Sequence, residues 1–310
     1  MMEEVNTKYG VIKDYLNLKM HSSDQPASIL LTGYTEMETP YGTLIPQYEA
    51  EDLGRKEHKY ILFHSNGTAR KVPLQDMQDI PTKYGTIAAE MVLFYNNGAL
   101  KKLFPLTGKL SGYWTQENEF ALAQSLHLAL PSGDITAKII SLGFFKSGNI
   151  RSVTLWPGEI VSVNTPVGNV ETRTGLSFYE DGKVKSLEPV LPTPVETLIG
   201  TLEAFDNDPD GVSGDLNSLN FDPAGNITSL TTTSSKVTVT VSGTEKTYRP
   251  TEQESLCSSS VKVAVPLKIE FIGDNVRFNE SNTDVYDIAQ CSFKIEKYVA
   301  DLSMPSYECA

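Results

Sequence analysis

One pattern, a Phe with an apolar residue two positions before it and a Gly four positions after it, recurs five times in this chain and constrains its fold more than any other feature. The copies, which we call the hairpin motifs, are F-H-S-N-G at 63–67, F-Y-N-N-G at 94–98, F-F-K-S-G at 144–148, F-Y-E-D-G at 178–182 and F-D-P-A-G at 221–225. Each has an apolar residue two positions before Phe, and small or apolar residues two and five positions after Gly. Apolar residues at alternate positions, followed by a turn that ends in x-Gly, predict a β-hairpin. The apolar spacing of three after Gly predicts a bulge in the return strand.

A second pattern, which we call the bend motif, occurs six times. Its copies are T-K-Y-G-V-I at 7–12, T-P-Y-G-T-L at 39–44, T-K-Y-G-T-I at 82–87, L-P-S-G-D-I at 130–135, T-P-V-G-N-V at 165–170 and T-L-I-G-T-L at 197–202. Successive glycines lie 32 to 48 residues apart. The motif predicts a bend that enters a short strand. Six bend motifs also predict a degenerate first hairpin at 16–20 and 27–31.

Together the motifs predict an all-β protein of about six degenerate, three-stranded hairpin units in an extended or curled antiparallel sheet. One short helix is expected near 115–130, where Phe120, Ala123, Leu126 and Leu130 recur at helical spacing after Thr115. We expect a hairpin repeat region at 1–235 and a C-terminal β cap at 236–310. Within the cap, the polar and Ser-rich segment 243–260 is expected to be a loop.

The charge and the cysteine content narrow the classes of function. A formal net charge of −13 disfavours binding to nucleic acid or to an anionic membrane surface. No apolar run approaches the ~20 residues that span a bilayer, and 1–5 lack the features of a secretory signal. Cys257, Cys291 and Cys309 are odd in number and widely spaced, which disfavours a disulfide framework. These features predict a cytoplasmic protein.

The segments 92–102, V-L-F-Y-N-N-G-A-L-K-K, and 106–114, L-T-G-K-L-S-G-Y-W, resemble the MORN-type hairpin repeat. They are most similar to the variant in bacterial YwqK-type proteins, which are described as antitoxin components. F-D-P-A-G-N-I-T-S-L at 221–230 also resembles a single Rhs-type YD repeat. The resemblance covers the hairpin motifs and implies a repeat architecture and a role in protein interaction. It supplies no catalytic residues.

The only candidate metal site is an acidic segment with Asp at alternate positions before a Gly. Asp206, Asp208 and Asp210 precede Gly211, and Asp215 follows. This order is typical of a loop that binds Ca²⁺ through oxygen ligands, although Asn217 replaces the usual bidentate Glu. The alternative is a solvated acidic loop, so no cofactor is predicted beyond a possible Ca²⁺.

A column of cations is the first candidate for partner binding. Three residues after the turn Gly stand Arg70, Lys101, Arg151 and Lys185, with Thr228 in the last copy. Stacked units would align these cations into a surface for an acidic partner segment. The alternative is a solvated ladder of charges paired with neighbouring Glu or Asp.

Two tryptophans, Trp114 and Trp156, are the second candidate for partner binding. Exposed, they would be anchors for a protein or a sugar ring. The alternative is that each closes the core at a strand end.

No nucleophile elbow, zinc-protease, phosphate-loop or dinucleotide-binding motif occurs. We therefore predict a non-enzymatic repeat scaffold that binds another protein, in an antitoxin-like or immunity-like role. The alternative is a Ca²⁺-stabilised surface module or a glycan-binding β module. A hydrolase in the C-terminal tail is a third hypothesis, which a deep pocket with convergent polar groups would favour.

Overall fold

The chain forms two compact units that consist mostly of antiparallel strands. The computed structural model describes residues 4–50, 54–209, 214, 216–255 and 258–299, with the backbone alone for 254, 255 and 258–263. The first unit comprises Met1–Leu130 and Asp134–Trp156, and the second comprises Pro131–Gly133 and Pro157–Ala310. The expected boundary after residue 235 lies inside the second unit. The strand-rich architecture with one short α-helix among the described residues confirms the all-β prediction.

The described part of the first unit contains thirteen strands and the α-helix. They are β1 (Val5–Thr7), β2 (Gly10–Ile12), β3 (Tyr15–Met20), β4 (Pro26–Leu31), β5 (Met37–Thr39), β6 (Gly42–Leu44), β7 (Ile61–Phe63), β8 (Ala69–Thr82), β9 (Gly85–Phe94), β10 (Leu100–Phe104), α1 (Gln116–Leu122), β11 (Ser125–Leu128), β12 (Ile135–Phe144) and β13 (Ile150–Leu155). The main sheet runs β3-β4-β7-β8-β9-β10-β12-β13, every pair antiparallel. Hairpins β1-β2 and β5-β6 are separate, and β11 pairs with β12.

The second unit repeats the same plan. Its strands are β14 (Val161–Thr165), β15 (Gly168–Phe178), β16 (Val184–Pro189), β17 (Thr193–Thr197), β18 (Gly200–Ala204), β19 (Leu219–Phe221), β20 (Ile227–Thr232), β21 (Ser235–Val241), β22 (Thr244–Tyr248), β23 (Thr251–Ser255), β24 (Ser258–Val265), β25 (Leu267–Ile272), β26 (Asn275–Phe278), β27 (Val285–Asp287) and β28 (Ser292–Lys297), with a 3₁₀-helix at Ile288–Gln290. The main sheet runs β14-β15-β16-β19-β20-β25-β26-β27. Beside it lie the hairpins β17-β18 and β23-β24 and the three-stranded sheet β22-β21-β28.

The apolar positions of the hairpin motifs form the core of both units. Cross-strand partners in the first unit are Val72, Val92, Leu103, Leu142 and Val153, all fully buried. The equivalent row in the second unit is Leu176, Leu187, Leu219, Leu230, Ile269 and Phe278. Residues at one level of neighbouring strands share a face of the sheet, so the repeated positions stack into one apolar row.

Each hairpin motif forms a turn followed by the predicted bulge. In the third hairpin, Gly98 has φ +85°, Phe94 pairs with Leu100 and Leu93 pairs with Lys102, so the register skips Lys101. The degenerate first hairpin is also confirmed, because β3 pairs with β4 around a turn at 21–25. There Asp24 takes the place of Gly with φ +57°, a conformation that Asp tolerates better than most residues.

The bend motifs form hairpins of their own, where the sequence predicted a bend into a single strand. In the first copy, Thr7 pairs with Gly10, the Thr7 hydroxyl accepts from the Tyr9 N–H at 3.0 Å and donates to the Gly10 carbonyl at 2.8 Å. The copies that begin with Thr39, Thr82, Thr165 and Thr197 make the same two bonds. The Thr side chain thus closes the turn locally, and each repeat contains two hairpins.

Side chains of one repeat bond the backbone of the next. The bend-motif hydroxyls of Tyr9, Tyr41 and Tyr84 accept from the N–H groups of Ala69, Leu100 and Ile150 at 2.8–3.2 Å. The residue after the motif Phe, or after Met20 in the first hairpin, reaches the Phe carbonyl of the following hairpin: His21 to Phe63, His64 to Phe94, Tyr95 to Phe144 and Tyr179 to Phe221, at 2.7–3.1 Å. These contacts fix the register of successive hairpins.

Two predicted elements differ from the structure. The helix ends at Leu122, and 125–128 form β11, whose four residues pair with β12. Thr115 caps the helix in a capping box with Asn118, as expected for a Thr at that position. The loop predicted at 243–260 is wrong, because β22, β23 and part of β24 lie there and pair as hairpins. No helix in the described ranges is long and apolar enough to cross a membrane.

Candidate functional site

The most distinctive surface of the first unit is the sheet face opposite the apolar row. Cross-strand pairing places Lys19, Ser28, Leu62, Lys71, Leu93, Lys102, Gly143 and Ser152 in one continuous row across eight strands. The row contains three lysines and no carboxylate. We call this row, together with the neighbouring cations Lys59, Arg70 and Lys101, the basic face.

The bulges add cations to this row. The register skips Arg70 between Ala69 and Lys71 and Lys101 between Leu100 and Lys102, and both skipped residues are exposed. Each bulge therefore presents two consecutive cations, 70–71 and 101–102, on strands β8 and β10. The Lys101 ammonium lies 5.7 Å from the Tyr95 ring centroid, and that of Lys102 lies 5.1 Å from the Phe104 ring centroid. Contacts of this kind between a cation and an aromatic ring are attractive.

At one end of the basic face lies a groove of about 420 Å³, which we call the lysine groove. Its wall includes Lys19, Lys59 and Lys71 together with Ser28, His58, Tyr60, Leu62 and Glu57. The Glu57 carboxylate forms an exposed ion pair with Lys109. The Lys59 ammonium donates to the Thr107 carbonyl at 2.9 Å. The described atoms include no partner for the buried His58 Nε2.

Burial and like charges keep these lysines poorly compensated. The pKa of Lys59 is lowered by burial first and then by repulsion from Lys71. The pKa of Lys71 is lowered by burial and by repulsion from Arg70. An anion that approaches a half-buried cation beside other cations therefore stabilises it. The geometry can therefore receive negative charge.

The structure brings together only some of the predicted cations. Arg70, Lys101 and Arg151 belong to the first unit, with Arg70 and Lys101 exposed and Arg151 half-buried. Lys185 is exposed in the second unit, where the corresponding row is Ser177, Ser186, Asn220 and Ser229, followed by the facing charges Glu270 and Arg277. Lys19, Lys59 and Lys71 were missed by the sequence analysis. The doublets Arg70-Lys71 and Lys101-Lys102 were the signal that could have identified Lys71.

The two tryptophans do not form an exposed pair. Trp156 is 8% exposed and packs with Leu106, Ala123 and Phe120. Trp114 is half-buried, and its indole N–H donates to Glu119 at 2.7 Å. Both tryptophans therefore contribute to the packing around α1.

Only part of the candidate calcium loop lies in the described residues. Asp206 accepts from the Asp208 N–H at 3.0 Å, and its own N–H donates to Glu188 at 3.2 Å. Asp210 and Asp215 lie outside the described residues. Across the ranges that the structure describes, no group of three or more His, Cys, Asp or Glu is placed to hold a metal ion.

A buried ion cluster in the first unit was not predicted. Arg55 binds Glu90 through two bonds of 2.7 and 3.0 Å and Glu119 through two bonds of 2.9 and 2.8 Å. Lys56, 3.8 Å from Glu90, adds a second cation. The guanidinium lowers the pKa of Glu119 despite burial, which holds this carboxylate ionised. Both carboxylates are held by Arg55, so the cluster offers neither a general acid nor a nucleophile.

Among the described residues of the second unit, the carboxylate of Glu188 is buried, with the residue 1% exposed. It accepts from the N–H groups of Asp206 at 3.2 Å and Ser218 at 2.8 Å. Burial raises its pKa, and the two amide bonds offset only part of that effect. Glu188 thus joins both ends of the segment between β18 and β19.

Comparison with known proteins identifies no relative. No protein-family model matches the chain, and no curated protein or solved structure shows significant similarity to it.

Proposed function

We propose that this protein is a non-catalytic repeat scaffold that binds another protein, and that the basic face of the first unit receives an acidic segment of that partner. The observation that carries the proposal is the row of lysines and bulge cations without an intervening carboxylate. In a chain with net charge −13, such a row is a local reversal of sign. Charge complementarity of this kind gives specificity and steers association.

The regular sheet supports the same proposal. Successive bulges repeat the cations on β8 and β10. The half-buried Leu93 lies between Lys71 and Lys102, and the half-buried Leu62 lies on the other side of Lys71. A partner segment can therefore bury apolar side chains while its acids meet the lysines. The most specific form of the proposal is an antitoxin-like or immunity-like role in the cytoplasm, where the scaffold would mask an acidic surface of its partner.

The test is a tagged pull-down from the cytoplasmic fraction of the native host, with mass spectrometry. The variant Arg70→Glu/Lys71→Glu/Lys101→Glu reverses the basic face. A matched variant, Lys183→Glu/Lys185→Glu/Lys294→Glu, makes the same change in net charge in the second unit. We expect a stoichiometric partner with an acidic segment that is lost in the first variant and retained in the second.

Equal capture by both variants would contradict the basic face as the binding surface. Loss in the matched variant alone would place binding in the second unit and overturn the proposal. Folding of each variant is checked by far-UV circular dichroism, because these side chains are solvent-facing or half-buried and their reversal should leave the sheet intact.

A further inference from the structure

Strand β3 forms one edge of the main sheet of the first unit, and this edge is exposed. Within the described residues, β3 pairs with β4 alone, so its other side presents backbone N–H and C=O groups without a strand partner. Edge strands of this kind are templates for an additional strand.

The side chains of β3 show that the core row continues to this edge and is left uncovered there. Met20 occupies the position of the motif Phe and is 50% exposed, whereas Phe63 at the equivalent position is 2% exposed. Leu16 is 68% exposed on the same strand. Leu18 pairs with the fully buried Ile29 but is itself only half-buried. One further strand would cover Leu18 and Met20, whereas Leu16 is the residue that the register skips.

The opposite side of β3 belongs to the basic face. Lys19 pairs with Ser28, whose row continues through Leu62 to Lys71, and both Lys19 and Asn17 are exposed. A strand beside β3 would therefore place alternate side chains near Leu18 and Met20, and the others near Lys19. A basic strand would be repelled at Lys19, and an acidic one attracted.

We infer that the edge of β3 binds an extended segment of the partner protein in which apolar residues alternate with Asp or Glu. The inference rests on the proposed function and specifies its binding mode: the segment adds one antiparallel or parallel strand to β3, with its apolar side chains on the core row and its acids at the lysine groove. In the complex, Lys19 selects an acidic segment. In the free protein, the charge of Lys19 discourages unspecific pairing with the edge strand.

The test uses the full-length protein and synthetic peptides. One peptide alternates Val and Glu, a second alternates Val and Lys, and a third has the Val and Glu residues in separate blocks. Amide hydrogen exchange and NMR shifts of 15–20 report binding at the edge. We expect the alternating Val-Glu peptide alone to slow exchange of the β3 amides that face the open edge, by at least about tenfold.

The variant Lys19→Glu tests the charge selection. It should weaken the Val-Glu peptide by at least about tenfold and allow the Val-Lys peptide to bind. Lys294→Glu on β28 is the matched control and should change neither affinity.

Three results would overturn the inference. Shifts at Lys59 and Lys71 without protection of β3 would place the acidic segment on the face alone, and the proposed function would survive. Protection of β3 that increases with protein concentration in the absence of peptide would assign the edge to a second copy of the chain. Absence of binding by the Val-Glu peptide, with the pull-down partner still lost in the basic-face variant, would likewise reject the edge and retain the face.

Discussion

At the scale of single residues, Arg55 shows how a buried charge network is held together. Its guanidinium makes four bonds to Glu90 and Glu119, and the Gly108 N–H donates to Glu119 at 2.7 Å. A Cβ at position 108 would collide with the Glu119 carboxylate, so a side chain there would have to displace that carboxylate from its bonds. The cluster joins the segment before β7 to β9 and α1.

We expect Arg55→Met to destabilise the first unit by about 3–5 kcal/mol, because it leaves two carboxylates buried without their main cation. Urea unfolding followed by tryptophan fluorescence measures this, since both tryptophans of the chain lie in the first unit. Adding Glu90→Gln and Glu119→Gln to Arg55→Met should recover much of the loss. If Arg55→Met alone is as stable as the wild type, the ion cluster does not stabilise the first unit in the way we describe.

Glu188 predicts a pH dependence in the second unit. Its pKa is raised above the ordinary value of 4.5 by burial, so the folded state holds the proton more tightly than the unfolded state. Stability from this group is therefore greatest below pH 4.5 and falls as the pH rises through the raised pKa. Glu188→Gln should remove that fall.

The measurement is urea unfolding by far-UV circular dichroism over a pH series, with tryptophan fluorescence to separate the first unit. Glu196→Gln, on the exposed side of β17, is the control and should leave the pH profile unchanged. A Glu188→Gln profile that falls as steeply as the wild type would assign the dependence to another group.

At the scale of elements, the bend and hairpin motifs act as a pair. The bend hairpin is closed by its own Thr, and its Tyr then accepts from a backbone N–H in the hairpin of the next repeat. The same two steps recur with Tyr41 and Tyr84. The turn closed by Thr thus positions a Tyr that links one repeat to the next by a hydrogen bond, which explains why both motifs recur together.

We expect Tyr41→Phe to destabilise the first unit by about 1–3 kcal/mol, because it leaves the N–H of the buried Leu100 without its 2.8 Å acceptor. Tyr113→Phe is the matched control, since Tyr113 is 96% exposed. Hydrogen exchange resolves the effect: the Leu100 amide should exchange faster in Tyr41→Phe and at the wild-type rate in Tyr113→Phe. If the Leu100 amide is equally protected in Tyr41→Phe, the Tyr41 hydroxyl does not contribute to the link between these repeats.

At the scale of the whole molecule, the distribution of charge governs association. The chain carries an excess of thirteen negative charges, whereas the basic face has six cations, of which Lys19, Arg70 and Lys101 lie at exposed strand positions. Salt screens such fields over a distance of about 10 Å at 0.1 M. Binding of the acidic partner that we propose should therefore depend strongly on ionic strength.

We expect the association rate of the partner to fall by about tenfold or more between roughly 0.05 and 0.5 M salt, with a smaller change in the dissociation rate. Surface plasmon resonance with the captured partner measures both rates. The basic-face variant should lose most of this salt dependence. If the basic-face variant shows the same salt dependence as the wild type, the charges that steer association lie elsewhere.

The repeat, the hairpins, the bulges and the helix cap could be predicted from the sequence because each depends on neighbouring residues. Alternation, a turn Gly and a Thr before a short helix are local signals, and the stacked row of Val72, Val92 and Leu103 follows from them once strands pair. The helix was predicted too long because Leu126 and Leu130 match helical spacing, while pairing of 125–128 with β12 decides their conformation.

Tertiary structure decided the rest. Arg55 and Glu119 are 64 residues apart, and Lys19 reaches the row of Lys71 only through the register of four strands. Burial, which sets the pKa of Glu188 and of Lys59, is likewise a property of the packed chain. The sequence by itself therefore determined what each repeat forms, because turn and strand preferences are local. The fold decided which charges meet and which edge stays open, because those depend on how distant repeats are placed side by side.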